Sequence, residues 1–272
     1  MAPAGVAIFL GIGPVTAGTT RILASPTHGN LAVALLSRTG SAELAAQIAE
    51  SSHGGVTRAF KTDTTEASLS KTFEEIKSWA EGLGHNLKLK LSVFSIKHSH
   101  KASFLEETAE QYQESMNTYC TGAMVFSQLS LKWMLVQHPE SQGDPPHMLK
   151  KGTLIFTGTL GALRTNSGYA AYGGGRAAVR MLAQSLAREY SAQGVHVVHA
   201  IANGSITDKY HQFHADASGK IETEAGGEDA PAVLQGKKMR AESVGKLYLT
   251  MMEQECDLWC HELDMRPAAE KF

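Results

Sequence analysis

The chain has very little cysteine: three residues, Cys120, Cys256 and Cys260, in 272. That number and spacing exclude a disulfide framework of the kind that holds small secreted domains together. Cys256 and Cys260 lie beside His261, but no second ligand pair follows at a matching distance, so no metal site is expected. Long apolar runs are also missing. None approaches the ~20 residues needed to span a bilayer, so no membrane partner is expected. Neither sign of charge dominates: 25 Lys and Arg stand against 27 Asp and Glu, a formal net charge of −2. This gives no basic footprint for nucleic acid and no polybasic membrane patch. The apolar start of the chain lacks a charged leader and a cleavage pattern, which favours a first strand in a cytoplasmic protein. No internal repeat or low-complexity tract divides the sequence, and the whole of 1–272 reads as one domain.

What the chain does contain is an alternation of short apolar runs with longer helical ones. This pattern predicts an α/β fold, a doubly wound parallel sheet of about seven strands with helices on both faces. The predicted strands are Val6–Leu10, Leu31–Ser37, Val56–Phe60, Leu87–Ser95, Gly152–Thr157, Val195–Ile201 and Asp257–Leu263. Helices are predicted near Thr16–Ala24, from about Ser41, and over Thr65–Glu81, Thr108–Val136, Tyr169–Tyr190 and Ala241–Glu253. Ser41 is a good cap residue, and Leu69, Phe73, Ile76 and Ala80 recur at helical spacing. The stretch 218–236, within a substrate segment at about 205–240, reads as a mobile surface segment or lid.

Several motifs carry chemistry. The first strand runs into Gly11-Ile12-Gly13-Pro14-Val15-Thr16-Ala17-Gly18, a glycine turn that lets backbone amides approach a pyrophosphate at a helix N-terminus. The second strand ends at Ser37-Arg38-Thr39, where an arginine can pair with a 2′-phosphate, which points to NADPH over NADH. Asp63 follows the third strand, either beside the adenine or as a helix cap. Tyr172 and Arg176, four apart on one helical face, place a cation one turn from a phenol that can act as a general acid. Gly173-Gly174-Gly175 inside that helix costs about 1 kcal/mol per residue relative to alanine, so close approach of a ligand or another backbone is expected. His98 and His100 follow the fourth strand at the ligand-binding end of the sheet; they suit either acid–base work or a polar loop. His211 and His214 offer the same choice near the lid. His196 and His199 fall on a strand and are read as structural.

Over nearly its whole length the chain resembles the short-chain dehydrogenases/reductases, most clearly from GTLIFTGTLGALRTNSGYAAYGGGR to HAIANGSITD. The resemblance implies a catalytic set of a tyrosine, a lysine four residues on, a serine thirteen residues before the tyrosine and an asparagine on the preceding long helix. By position these are Tyr172, Arg176, Thr159 and Tyr119. Two loop glycines correspond to Val15 and Ala17. The small Asn-Asn-Ala-Gly stretch corresponds to Phe94-Ser95-Ile96-Lys97, and a cofactor-binding threonine to Asp208. The resemblance therefore implies an altered glycine loop and an altered catalytic set. It implies NADP(H) held by Gly11, Gly13, Pro14, Val15, Arg38, Thr39, Asp63, Ser95, Tyr172, Arg176, Gly204 and Ile206, with no metal. The catalytic candidates are Tyr172, Thr159, Arg176, Tyr119 and His98.

Three functions are open at this point. One is NADPH-dependent reduction of a carbonyl or enone in a small to medium organic or secondary-metabolite substrate. Another is non-redox chemistry in the same pocket, such as cyclisation, isomerisation, dehydration or hydrolysis in a biosynthetic pathway. The third is cofactor binding without catalysis. The helices at Thr108–Val136 and Tyr169–Tyr190 resemble the pair through which family members form homodimers or homotetramers.

Overall fold

The computed structural model describes residues 2–13, 16–84, 86–138, 149–209, 211–215 and 221–270. In chain order its elements begin with β1 (Gly5–Leu10), α1 (Thr16–Ala24), β2 (Leu31–Ser37), α2 (Ala42–Ser51), β3 (Thr57–Lys61), α3 (Glu66–Leu83) and β4 (Leu89–Phe94). They continue with α4 (Ala109–Met116), a π-helical turn at Asn117–Thr121, α5 (Gly122–Val136), β5 (Gly152–Gly158), α6 (Ala170–Tyr190) and β6 (Val195–Ala202). The last part holds β7 (Ser205–Thr207), β8 (His211–Ala215), β9 (Ile221–Ala225), α7 (Ala230–Leu234), β10 (Lys238–Arg240), α8 (Ala241–Glu253) and β11 (Glu262–Met265).

Seven strands form one parallel sheet in the order β11-β6-β5-β4-β1-β2-β3. The chain starts in the middle at β1, winds outward to β3, then crosses back to build the other half from β4. The reversal lies between β1 and β4, and a crevice opens there at the carboxyl ends of the strands. Strands covered on both faces need apolar residues on both, which is why Leu31–Leu36 is a continuous buried run rather than an alternation. On one face Phe73 and Ile76 of α3, Phe126 of α5 and Val179 and Ala183 of α6 pack on the sheet. On the other, Ile22 and Leu23 of α1, Ile48 of α2 and Val244 and Tyr248 of α8 do so.

Helix starts follow local chemistry. The Ser41 hydroxyl accepts from Leu44 N, the Thr65 hydroxyl accepts from Ser68 N, and Thr108 with Gln111 forms a reciprocal capping box. Two expectations are corrected. The helix expected over Thr108–Val136 is interrupted by the π turn, a wide turn that shifts the side chains after it around the axis. The last strand lies at Glu262–Met265, later than Asp257–Leu263, because its register is set by pairing Glu262 with His199 and Met265 with Ala202. The stretch read as a mobile segment contains β9 and α7, the latter with proline in its first turn; 216–220 lies outside the described residues. β7 pairs with β10, and β8 pairs antiparallel with β9. Among the described residues no helix is long and apolar enough to cross a membrane.

Candidate functional site

Gly11 follows β1 with φ of +106°, and a Cβ there would lie 2.4 Å from Ser95 O. Only glycine allows the β1 and β4 ends to close in this way, with Ser95 N bonded to Leu10 O at 2.8 Å. The turn is then fixed by Thr16, whose hydroxyl donates to Gly11 O at 3.2 Å and accepts from Gly13 N at 2.9 Å. Among the described residues, none beyond its chain neighbours lies within 4 Å of a Cβ built on Gly13. Pro14 and Val15 lie outside the described residues. Ala17 is half-buried and packs on the core beneath α1.

A cleft of about 150 Å³ sits beside this turn, lined among others by Gly11, Ile12, Arg38, Asp63, Ile96 and His98. Arg38 and Thr39 are exposed at the end of β2. Asp63 lines the cleft, but its carboxylate caps the next turn, accepting from Thr65 N at 2.9 Å and Thr65 Oγ1 at 2.6 Å. These bonds hold its pKa below the usual carboxylate value. Ser95 contributes to the turn rather than to the cleft wall.

A second and larger cavity, about 610 Å³, opens over the start of α6. Tyr172 and Thr159 both line it, and their hydroxyls lie 2.7 Å apart. Thr159 caps a 3₁₀ turn at Leu160–Ala162, accepting from Gly161 N, while Tyr172 lies in the first turn of α6. Two hydroxyls in contact at the wall of a cavity can hold one oxygen atom and pass it a proton.

Behind Tyr172 the arrangement is unusual. Arg176 is only 4% exposed. Its two terminal nitrogens donate to Thr157 O at 3.0 Å and Ile96 O at 2.9 Å, bridging the ends of β5 and β4. The guanidinium carbon lies 4.6 Å from the Tyr119 ring centre and 5.3 Å from that of Tyr172, so the cation is held between two aromatic rings. Tyr119 is fully buried in the π turn. Its hydroxyl accepts from His98 N at 2.9 Å and donates to His98 O. Burial raises its pKa, against the nearby Arg176 charge. Tyr119 therefore props the segment after β4 from below instead of facing the cavity.

The glycine run in α6 has a different cause from the one expected. A Cβ on Gly175 would meet the Tyr119 ring at 2.7 Å, and one on Gly173 would meet Thr165 Cβ at 2.6 Å. Side chains, not a ligand or a backbone, occupy the space. The large residue at 119 and the missing side chain at 175 form one packing solution.

The other expected site residues disperse. His98 lines the smaller cleft, not the cavity of Tyr172, and its ring packs 6.2 Å from that of Tyr119. His100 pairs with Glu107 at 2.8 Å. The side chains of His211 and His214 lie outside the described residues. His196 and His199 are buried in β6, and burial pushes both pKa values down to about 4. Gly204, with φ of +96°, turns against the Pro267 ring, and Ile206 packs half-buried on the core below. Asp208 faces Arg21 of α1, within 3.3 Å of its guanidinium. Residues that the sequence reading passed over include Arg164 and Asn166 in the cavity wall. Their signal was positional, because a loop joining Thr159 to Tyr172 must border the space between them.

The family model described as enoyl-(acyl carrier protein) reductase matches residues 25–258. The chain belongs to the short-chain dehydrogenase/reductase family, a family of oxidoreductases. Solved structures agree in fold. A short-chain dehydrogenase from Rhodopseudomonas palustris superposes with a TM-score of 0.70 at 22% identity, covering 97% of this chain and 99% of the other. A Burkholderia cenocepacia short-chain dehydrogenase in complex with NADP gives 0.69 at 18%, covering 98% of each. A 3-oxoacyl-[acyl-carrier protein] reductase from Brucella melitensis gives 0.70 at 15%, covering 99% of each. No curated protein matches the chain.

Proposed function

We propose that this protein is an NADP(H)-dependent reductase of a carbonyl or enone group in a small to medium organic substrate. The observation that carries the reading is the 2.7 Å contact between the Tyr172 and Thr159 hydroxyls in the wall of a 610 Å³ cavity. The cofactor's two ends find suitable surroundings. The space around Gly13, unfilled by other described residues, and the exposed Arg38 suit a phosphorylated adenosine, with Gly11, Ile12, Ser37 and Thr62 as neighbours. The hydroxyl pair suits the reacting end.

When bound, NADPH supplies the hydride that reaches the carbonyl carbon. The protein's own groups manage the oxygen. Thr159 Oγ1 and Tyr172 Oη donate hydrogen bonds to it, and Tyr172 transfers its proton as negative charge develops. Arg176 holds no proton-relay role, but its fixed charge beside the ring stabilises the phenolate left behind. Tyr172 regains its proton from water in the open cavity, and the alcohol leaves. His98, facing the other cleft, takes no step here.

A non-redox reading of the same hydroxyl pair, as acid and base in an isomerisation or dehydration, draws on a separate observation. Arg176 directs its donors to two main-chain carbonyls, whereas a ribose-holding cation must direct them outward. The nucleotide-side cleft, with Ile96 and His98 in its wall, is also near 150 Å³, below the ~300 Å³ at which ligand pockets usually begin. Incubation with NADPH and a panel of ketones and enones separates the readings. Substrate-dependent NADPH consumption with alcohol or saturated ketone as product is expected. Turnover that leaves NADPH untouched supports the second reading. In either case we place self-association on the outer faces of α5 and α6, where Met124 and Met181 are exposed.

A further inference from the structure

Among the described residues, the wall of the larger cavity contains no aspartate or glutamate and one cation, Arg164. Arg164 is exposed, and its guanidinium makes no hydrogen bond or ion pair with any described residue. Its backbone is not loose, because Arg164 N donates to Leu160 O at 3.0 Å and the preceding turn is anchored by the buried Ala162. Thr165, Asn166, Ser99 and Asn203 complete a polar wall around it.

The surroundings add to the positive potential. Lys101 packs its stem along Gly168, and its ammonium lies 6.0 Å from the ring of Tyr169, another cavity residue. Two described carboxylates already have partners: Glu107 pairs with His100, and Glu270 accepts from the wall residue Asn203 and pairs with Arg266. A guanidinium without a partner among the described residues, at the wall of a concave space, attracts an anion, and its planar fork matches a carboxylate with two parallel hydrogen bonds.

From this we infer that the substrate is an oxo carboxylate, its carboxylate held by Arg164 while its carbonyl oxygen lies between Thr159 and Tyr172. The inference rests on the proposed reading of the Tyr172 site and adds the chemical class of the substrate. Reduction is balanced as one hydride from NADPH to the carbonyl carbon and one proton from Tyr172 to its oxygen, giving a hydroxy carboxylate. The carboxylate itself is unchanged.

The test uses straight-chain oxo carboxylates of increasing ketone-to-carboxylate spacing, each paired with its methyl ester. At the best spacing the wild-type protein is expected to prefer the acid in kcat/KM by about tenfold or more, a preference that shrinks as salt rises. In Arg164→Gln the acid-to-ester ratio should fall to near one, with partial recovery in Arg164→Lys. Equal use of acid and ester by the wild type overturns the inference, as does a preference that survives Arg164→Gln. Calorimetric binding of the corresponding hydroxy carboxylates and their esters runs in parallel. If no ketone is turned over, the reductase reading fails. An Arg164-dependent preference for the free carboxylate in binding still supports the anion site, and equal binding of acid and ester removes it.

Discussion

Replacing Tyr172 with phenylalanine is expected to lower kcat by about 10²–10⁴-fold, the usual contribution of a positioned general acid. The change removes one oxygen atom and leaves the ring, so the contacts with Tyr119 and Arg176 survive. Thr159 loses its partner at 2.7 Å, but its bond with Gly161 N keeps it in place. Melting temperature and NADPH affinity should therefore stay close to wild type while turnover collapses. The measurement is steady-state kinetics on the best ketone together with thermal denaturation. A variant within about threefold of wild-type kcat would take the proton-donor role away from Tyr172.

The largest effect on stability is expected from Arg176→Ala. Two carbonyls, Thr157 O and Ile96 O, lose their donors at the ends of adjacent strands, and the gap between the Tyr119 and Tyr172 rings empties. Unpaired buried acceptors cost about 1–3 kcal/mol each, and the lost packing adds to that. A total of roughly 3–5 kcal/mol follows, or about 10 °C in Tm for a chain of this size. Arg176→Lys should lose less, because one ammonium can still reach a carbonyl. Denaturant titration of both variants checks the order. An Arg176→Ala protein as stable as wild type would mean that the bridge between β4 and β5 contributes nothing. The account of this cation as a structural clamp would then fail.

Most of the sheet is legible in the sequence because its strands are buried on both faces. Val6–Leu10 and Leu31–Leu36 must be continuous apolar runs, and helices of 3.6 periodicity must lie between them. The hydroxyl pair is legible too, since Thr159 and Tyr172 stand at fixed positions on a strand end and the helix after it. What escapes the sequence depends on contacts between distant segments. Nothing local announces that the helix around Tyr119 widens by a π turn, or that this tyrosine fills the space left by Gly175. The direction of the Arg176 side chain is equally hidden. A cation four residues from a tyrosine could reach outward to a ligand or inward to carbonyls, and the ends of β4 and β5 decide it. The position of β11 is set by its partner strand rather than by its own residues, which explains its displacement along the chain.

The central claim, that a nucleotide occupies the crevice between the glycine turn and Tyr172, is tested most directly by titrating the wild-type protein with NADPH. Following nicotinamide fluorescence, we expect saturable binding with Kd in the micromolar range. Arg38→Ala should weaken NADPH about tenfold and leave NADH nearly unaffected. Absence of binding up to millimolar NADPH would contradict the account and leave the Tyr172 cavity to chemistry without a hydride.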